Sequence, residues 1–238
     1  MIQQDANKTL EILYQDEYLV AVNKPCGYLV HRSPIARDAE YIVLQILRDQ
    51  IGKHVYPIHR IDRKTSGVLL FALDSDTNRI VGKDFAEHKV IKNYTAIVRG
   101  WIEKSGVVDY ALTNDSGKTQ DAITKYKRLS RFEIDLPLGK FQTSRYSEVS
   151  VTPQTGRMHQ IRKHMNHLRH PILGDRPHGC SKQNRLWKGS FDLTDMMLHA
   201  KSLEITHPHN YSKLLIEAPY FSEYKRVMSI LKGGNSAL

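Results

Sequence analysis

The chain has 238 residues, 40% of them hydrophobic and 25% charged, and carries a net charge of +10; this is ordinary globular composition with room for one large core or two small ones. No window holds the roughly 18 continuous apolar residues of a membrane span, and the polar opening Met1 to Thr9 lacks a signal-peptide core. Two distant cysteines, Cys26 and Cys180, exclude a disulfide framework and a zinc finger and suit a reducing cytosol, while the basic surplus favours a polyanionic partner over a membrane surface.

Residues 10–24 read as a hairpin, with Leu10 to Tyr14 and Tyr18 to Val22 flanking the turn Gln15-Asp16-Glu17. Pro25 and Gly27 break the second strand. Apolar Ile42, Val43, Ile46, Leu47 and Ile51 recur at helical spacing from Ala39 to Ile51, and Gly52 stops the helix. The apolar run Val68 to Leu73 is a strand, after which Ser75 or Asp76 caps a helix running to about His88. Asn93 to Val98 alternates as a strand ending at Gly100, and residues 106–152 read as an antiparallel meander, within which segment 113–121 is a loop. Met158 to Arg169 reads as a helix, with Met158, Ile161, Met165 and Leu168 on an apolar side and His159, Arg162, Lys163, His164 and Arg169 on a basic one. Strands at 197–200, 203–205 and 214–216 and a helix at 219–231 close the chain. Many strands with few interspersed helices predict an α+β fold rather than a doubly wound sheet. With no internal repeat, a single domain over 10–232 is expected between flexible tails at 1–9 and 233–238.

Three clusters carry candidate chemistry. The first, His59-Arg60-Ile61-Asp62-Arg63-Lys64-Thr65-Ser66-Gly67, sets one carboxylate between two arginines ahead of a buried strand. Neighbouring cations favour the anion, which can act as nucleophile, general base or salt-bridge partner; the residues alone leave these open. The second is Lys92-Asn93-Tyr94-Thr95-Ala96, whose tyrosine reads equally as a core aromatic. The third is Thr155-Gly156-Arg157-Met158-His159-Gln160-Ile161-Arg162-Lys163-His164, a glycine turn opening a basic helix. Two other motifs are set aside. Asp74-Ser75-Asp76-Thr77-Asn78 follows a strand like the nucleophile of haloacid-dehalogenase phosphatases, but that family places Thr or Val where Asn78 stands, and helix capping explains the segment. The spacing His164, His167, His170 drifts off one helical face, so it makes a poor metal site. Phosphate-binding, dinucleotide and HExxH motifs are missing.

Together the three clusters resemble the HRLDxxTSG, K-x-Y-x-A and TGRxHQ(I/L)RxH elements of RluA-type pseudouridine synthases, with Ile61 in place of Leu. Asn23-Lys24-Pro25-x-Gly27, His170-Pro171-Ile172-Leu173-Gly174-Asp175 and Leu198-His199-Ala200 complete the order, and the similarity covers about residues 10–217. The resemblance implies that family's catalytic fold, a mostly antiparallel mixed sheet flanked by helices and loops, without the RNA-binding domain that many members carry ahead of it. It implies isomerisation of uridine to pseudouridine in RNA with neither metal nor organic cofactor. Asp62 would be the essential aspartate, attacking C1′ or removing the C2′ proton. Arg162 would pair with it, Tyr94 stack on the base and Ile161 pack against the pocket. Arg60 would fill the space left by a flipped nucleotide, and His59, Thr65, Arg157 and His159 would complete the substrate contacts. Within the family, runs such as Glu11 to Glu17, Leu29 to Ser33 and His167 to Pro171 are most similar to members acting on tRNA. That implies uridine 65 of tRNA as target, with the same chemistry on ribosomal RNA or a non-catalytic RNA-binding protein on this fold as the rivals, and a cytoplasmic monomer free of membrane.

Overall fold

The computed structural model describes residues 9–32 and 41–233. The tails expected at 1–9 and 233–238 fall outside these apart from Thr9 and Gly233, as do Ser33 and the first two residues of the helix expected from Ala39. In chain order the elements are β1 (Glu11–Gln15), β2 (Leu19–Lys24), α1 (Val43–Ile51), β3 (Tyr56–Pro57), β4 (Ser66–Ala72), α2 (Ser75–Ala86), β5 (Ile91–Arg99), β6 (Ser105–Asp109), β7 (Leu112–Thr113) and β8 (Thr119–Gln120). There follow β9 (Ile123–Ile134), β10 (Ser144–Pro153), α3 (Gln160–His167), α4 (Ser181–Phe191), β11 (Leu198–Thr206), β12 (Lys213–Glu217) and α5 (Ser222–Gly233). The fold is α+β, as the pattern predicts. It divides into two compact units, one of residues 1–90 with 202–219 and one of 91–201 with 220–238.

In the first unit β1 pairs with β2, β2 with β4, β3 with β4, and the end of β11 with β12, all antiparallel. Strands β2 and β4 are covered on both sides, which is why they read as unbroken apolar runs rather than alternating ones. Val20, Val22, Leu69 and Phe71 pack with Val43 and Leu47 of α1, whereas Leu19, Ala21, Val68 and Leu70 pack with Val81 of α2. The cap of α2 is Asp74, one residue earlier than expected: its carboxylate accepts from Thr77 N at 2.8 Å. The turn between β1 and β2 closes on Asp16, which accepts from the backbone N–H groups of Tyr18 and Leu19 and from the Tyr14 hydroxyl.

In the second unit β5, β10, β9 and β6 form an antiparallel sheet in that order. Alternate side chains serve its two faces. Ile97, Phe132 and Tyr146 pack with Trp187 of α4 and with Tyr224, Val227 and Leu231 of α5, and Ala96, Val98, Val149 and Val151 pack with Ile161 and Met165 of α3. Segment 113–121, expected as a loop, is largely the β7–β8 hairpin, whose turn is tied by Asn114 accepting from the backbone N–H groups of Ser116 and Lys118. Helix α4 was not anticipated.

One buried carboxylate in this unit makes stability depend on pH. Burial raises the pKa of Glu148, against the hydrogen bond from the Tyr224 hydroxyl at 3.3 Å. A carboxyl raised in the folded state is stabilising while protonated, and that contribution is lost as pH rises through the folded pKa. Glu148→Gln is therefore expected to gain on wild type as pH increases. Its midpoint difference in thermal unfolding should widen in its favour by roughly 2–4 °C between pH 4.5 and pH 8; a difference that does not change with pH would refute the assignment.

Candidate active site

In the first unit, residues 58–65 connect β3 to β4 and carry Asp62. The connection is built by a second loop, the one following β2. Lys24 at the end of β2 is fully buried, and its Nζ donates to the carbonyls of Pro25 at 2.8 Å, Tyr28 at 2.9 Å and Arg63 at 3.0 Å. Three acceptors match the three N–H bonds of an ammonium. Burial pulls this group down to about 7, opposed by the charges of Cys26 and Asp62. The two loops are further joined by Gly27 N donating to Arg63 O at 2.8 Å and by Arg63 Nε donating to Gly27 O at 3.0 Å. Asp62 itself is half-buried, and its carbonyl accepts from Thr65 N at 3.0 Å, closing a turn. Thr65 and Ser66 are buried, and Gly67 follows at φ +108°, a backbone shape that side chains rarely allow.

Of the other expected contacts in this unit, Arg60 is exposed. His59 is turned toward the protein: its Nε2 accepts from Leu70 N at 3.1 Å and its ring stacks on Phe85 of α2 at 4.7 Å between centroids. These bonds fix the loop to β4 and α2.

In the second unit, Tyr94 of β5 lies against the cluster containing Ile161 of α3. Helix α3 starts later than its apolar pattern suggests. His159 takes a left-handed conformation at φ +57°, so Met158 falls before the helix and is 42% exposed rather than part of the apolar side. The side chain of Gln160, the first helical residue, ties the start of α3 to neighbouring segments: its Oε1 accepts from Thr155 Oγ1 and Arg157 N, and its Nε2 donates to Ile123 O and Thr124 Oγ1. Arg157 Nε donates to Asp121 O at 3.0 Å, and His159 Nδ1 is 2.9 Å from His178 Nε2.

The expected basic side of this helix is mixed rather than uniformly solvated. His164 is fully buried; its Nδ1 meets Thr124 Oγ1 and its Nε2 meets Tyr110 O, each at 2.9 Å. Burial lowers its pKa, so it is a neutral core residue and not a phosphate contact. His167 stacks on Tyr110 and His170 Nδ1 donates to Arg99 O. Among the described residues, no three His, Cys, Asp or Glu side chains cluster as metal ligands.

Arg162 is also buried, and its Nε and Nη2 donate to the two carboxylate oxygens of Asp175, both at 2.8 Å. Sequence reasoning placed Asp175 within a motif but gave it no role. Nor did it find the buried ammonium of Lys24. Asp175 sits in a loop and Lys24 at the last position of a strand, where no periodicity marks a buried charge.

The sequence profile of a family described as RNA pseudouridylate synthase matches residues 18–167. A protein named tRNA pseudouridine synthase C from Vibrio parahaemolyticus is 51% identical over 220 residues, 88% of this chain and 89% of that protein. Its namesake from Salmonella typhi is 46% identical over 231 residues, 92% of this chain and 89% of that one. Among solved structures, Human RNA Pseudouridylate Synthase Domain Containing 1 shares the fold with a TM-score of 0.73 at 21% identity, covering 99% of this chain and 100% of its own. Human RNA Pseudouridylate Synthase Domain Containing 4 gives a TM-score of 0.72 at 25% identity over 93% of each chain.

Proposed function

We propose that this chain, which belongs to the RNA pseudouridylate synthase family, isomerises uridine to pseudouridine in tRNA, with uridine 65 as the target. One observation carries the reading: the family match over residues 18–167 takes in Asp62, Tyr94 and Arg162 together. The choice of tRNA is supported by the names of relatives about half identical over most of both chains.

In the proposed reaction the C1′–N1 bond breaks, the base turns, C5 bonds to C1′, the C5 proton leaves and N1 takes up a proton, so uracil and ribose are rejoined without net gain or loss of atoms. Asp62 serves either by attacking C1′ or by taking the C2′ proton. Both routes use its carboxylate as an anion. Arg162 is the cation proposed to favour that anion. Tyr94 is proposed to stack on the uracil and to assist loss of the C5 proton, with Ile161 as the apolar wall. The target base is inaccessible in a stacked helix and has to be everted; exposed Arg60 is suited to filling its place, since a guanidinium both stacks and donates. The +10 surplus supplies phosphate contacts.

The test is nucleotide-resolution mapping of pseudouridine in tRNA and ribosomal RNA from a strain lacking this protein. The tRNA site at position 65 should disappear and the ribosomal sites persist. Loss confined to ribosomal RNA would reject the substrate. Unchanged maps in both, together with tight salt-dependent tRNA binding, would favour a binder without turnover.

A further inference from the structure

We infer that Asp175 is the positioning residue for Arg162, a role that rests on the function proposed above. The bond is bidentate, with Arg162 Nε and Nη2 on separate oxygens of Asp175 at 2.8 Å. Pairing along that edge fixes the plane of the guanidinium and turns Nη1 to its far side. Arg162 then has one orientation instead of the many open to a long flexible side chain.

Asp175 is itself held more tightly than its place in a loop would suggest. It is 1% exposed, and its Oδ1 also accepts from His178 N at 3.2 Å. Asn184 of α4 grips the chain on both sides: its Oδ1 accepts from Gly174 N at 3.0 Å, and its Nδ2 donates to Asp175 O at 2.6 Å. Gly174 sits at φ +80°, and a Cβ there would lie 1.9 Å from Asp195 O; a Cβ at Gly179 would lie 1.8 Å from Asp175 O. One step back, Leu173 N donates to Ile97 O of β5 at 2.9 Å. The line of support therefore runs from β5 and α4 through Gly174 and Asp175 to the guanidinium.

Stability alone does not account for this construction. Burying an ion pair costs desolvation that its attraction barely offsets, and apolar residues of similar volume often do as well or better. What a carboxylate supplies and an apolar side chain does not is a fixed direction for the guanidinium. Partners that orient a reactive group in this way typically matter by about 10–100-fold in activity.

The experiment compares wild type, Asp175→Asn and Asn184→Ala by single-turnover and steady-state pseudouridine formation, by tRNA Kd, and by thermal unfolding. Asp175→Asn is expected to lower kcat by about 10–100-fold with KM and Kd within about threefold of wild type. Asn184→Ala, which keeps the carboxylate but removes its brace, is expected to lower kcat by about tenfold at unchanged Kd, and it carries the test if Asp175→Asn does not fold. A kcat within about twofold of wild type in the folded variants would overturn the inference, as would parallel loss of kcat and Kd. An inactive wild-type chain would instead remove the proposed function, and this role with it.

Discussion

Asp62→Ala is expected to abolish pseudouridine formation, with a loss on the order of 10⁴ or more, as for removal of a single reacting group elsewhere. The expected loss is the same for either route. A nucleophile at C1′ and a base at C2′ are alike lost with the carboxylate, and Asp62→Asn, which keeps size and shape, should be equally inactive. The fold should survive, because the loop is held by its backbone: Asp62 O accepts from Thr65 N, and Lys24 Nζ and Gly27 N both donate to Arg63 O. Release of tritium from tRNA labelled at uridine C5 measures turnover, and a binding assay on the same sample reports the complex. Tritium release within tenfold of wild type would remove Asp62 from the chemistry.

Arg162→Met should produce the largest change in stability. Methionine keeps the unbranched stem of arginine without the guanidinium or its charge, so the substitution leaves the Asp175 carboxylate, 1% exposed in the wild type, without its counterion. Breaking a buried pair from one side costs about 3–5 kcal/mol, against a total of about 5–15 kcal/mol for a folded domain. In a chain of this size that lowers the unfolding midpoint by roughly 6–20 °C. Adding Asp175→Asn should recover much of the loss by removing the stranded charge, while activity stays absent. Such non-additivity is the signature of a direct pair. A single variant that melts with wild type would show that the ion pair carries no weight.

Much of the fold was legible because its strands and first helices follow simple periods. The runs Leu19 to Val22 and Val68 to Ala72 name themselves as strands covered on both sides. Gly52 stops α1 in the left-handed conformation its position suggests. Helix α4 was not legible for a physical reason: its apolar residues Leu186, Trp187 and Phe191 are confined to the second half, the first half Ser181 to Arg185 is polar, and Cys180 forms no capping bond at the start. The helix takes its place from Trp187, wholly buried against Tyr146. On α3 the period was right and the boundary was not, because nothing local shows that His159 would take a left-handed conformation and leave Met158 outside the helix.

The candidate site divides in the same way. Asp62, Tyr94 and Arg162 were named through their motifs, whereas the supports around them were not. Asp175 lies 13 positions after Arg162, across the end of a helix and a turn, so no repeat of side chains along one element relates them. Lys24 lay in the Asn23-Lys24-Pro25-x-Gly27 motif with no role of its own. Its burial became visible only when the carbonyls of Pro25, Tyr28 and Arg63 were seen around one nitrogen.

That nitrogen has a consequence for the timing of order. Connecting segments ordinarily keep some freedom and surrender it when a partner arrives, which weakens association. Here one ammonium rivets two segments 39 positions apart, so the aspartate-bearing turn loses its freedom as the domain folds. On the proposed function, an RNA would meet a turn already set, and the energy of its docking would be left for everting the nucleotide.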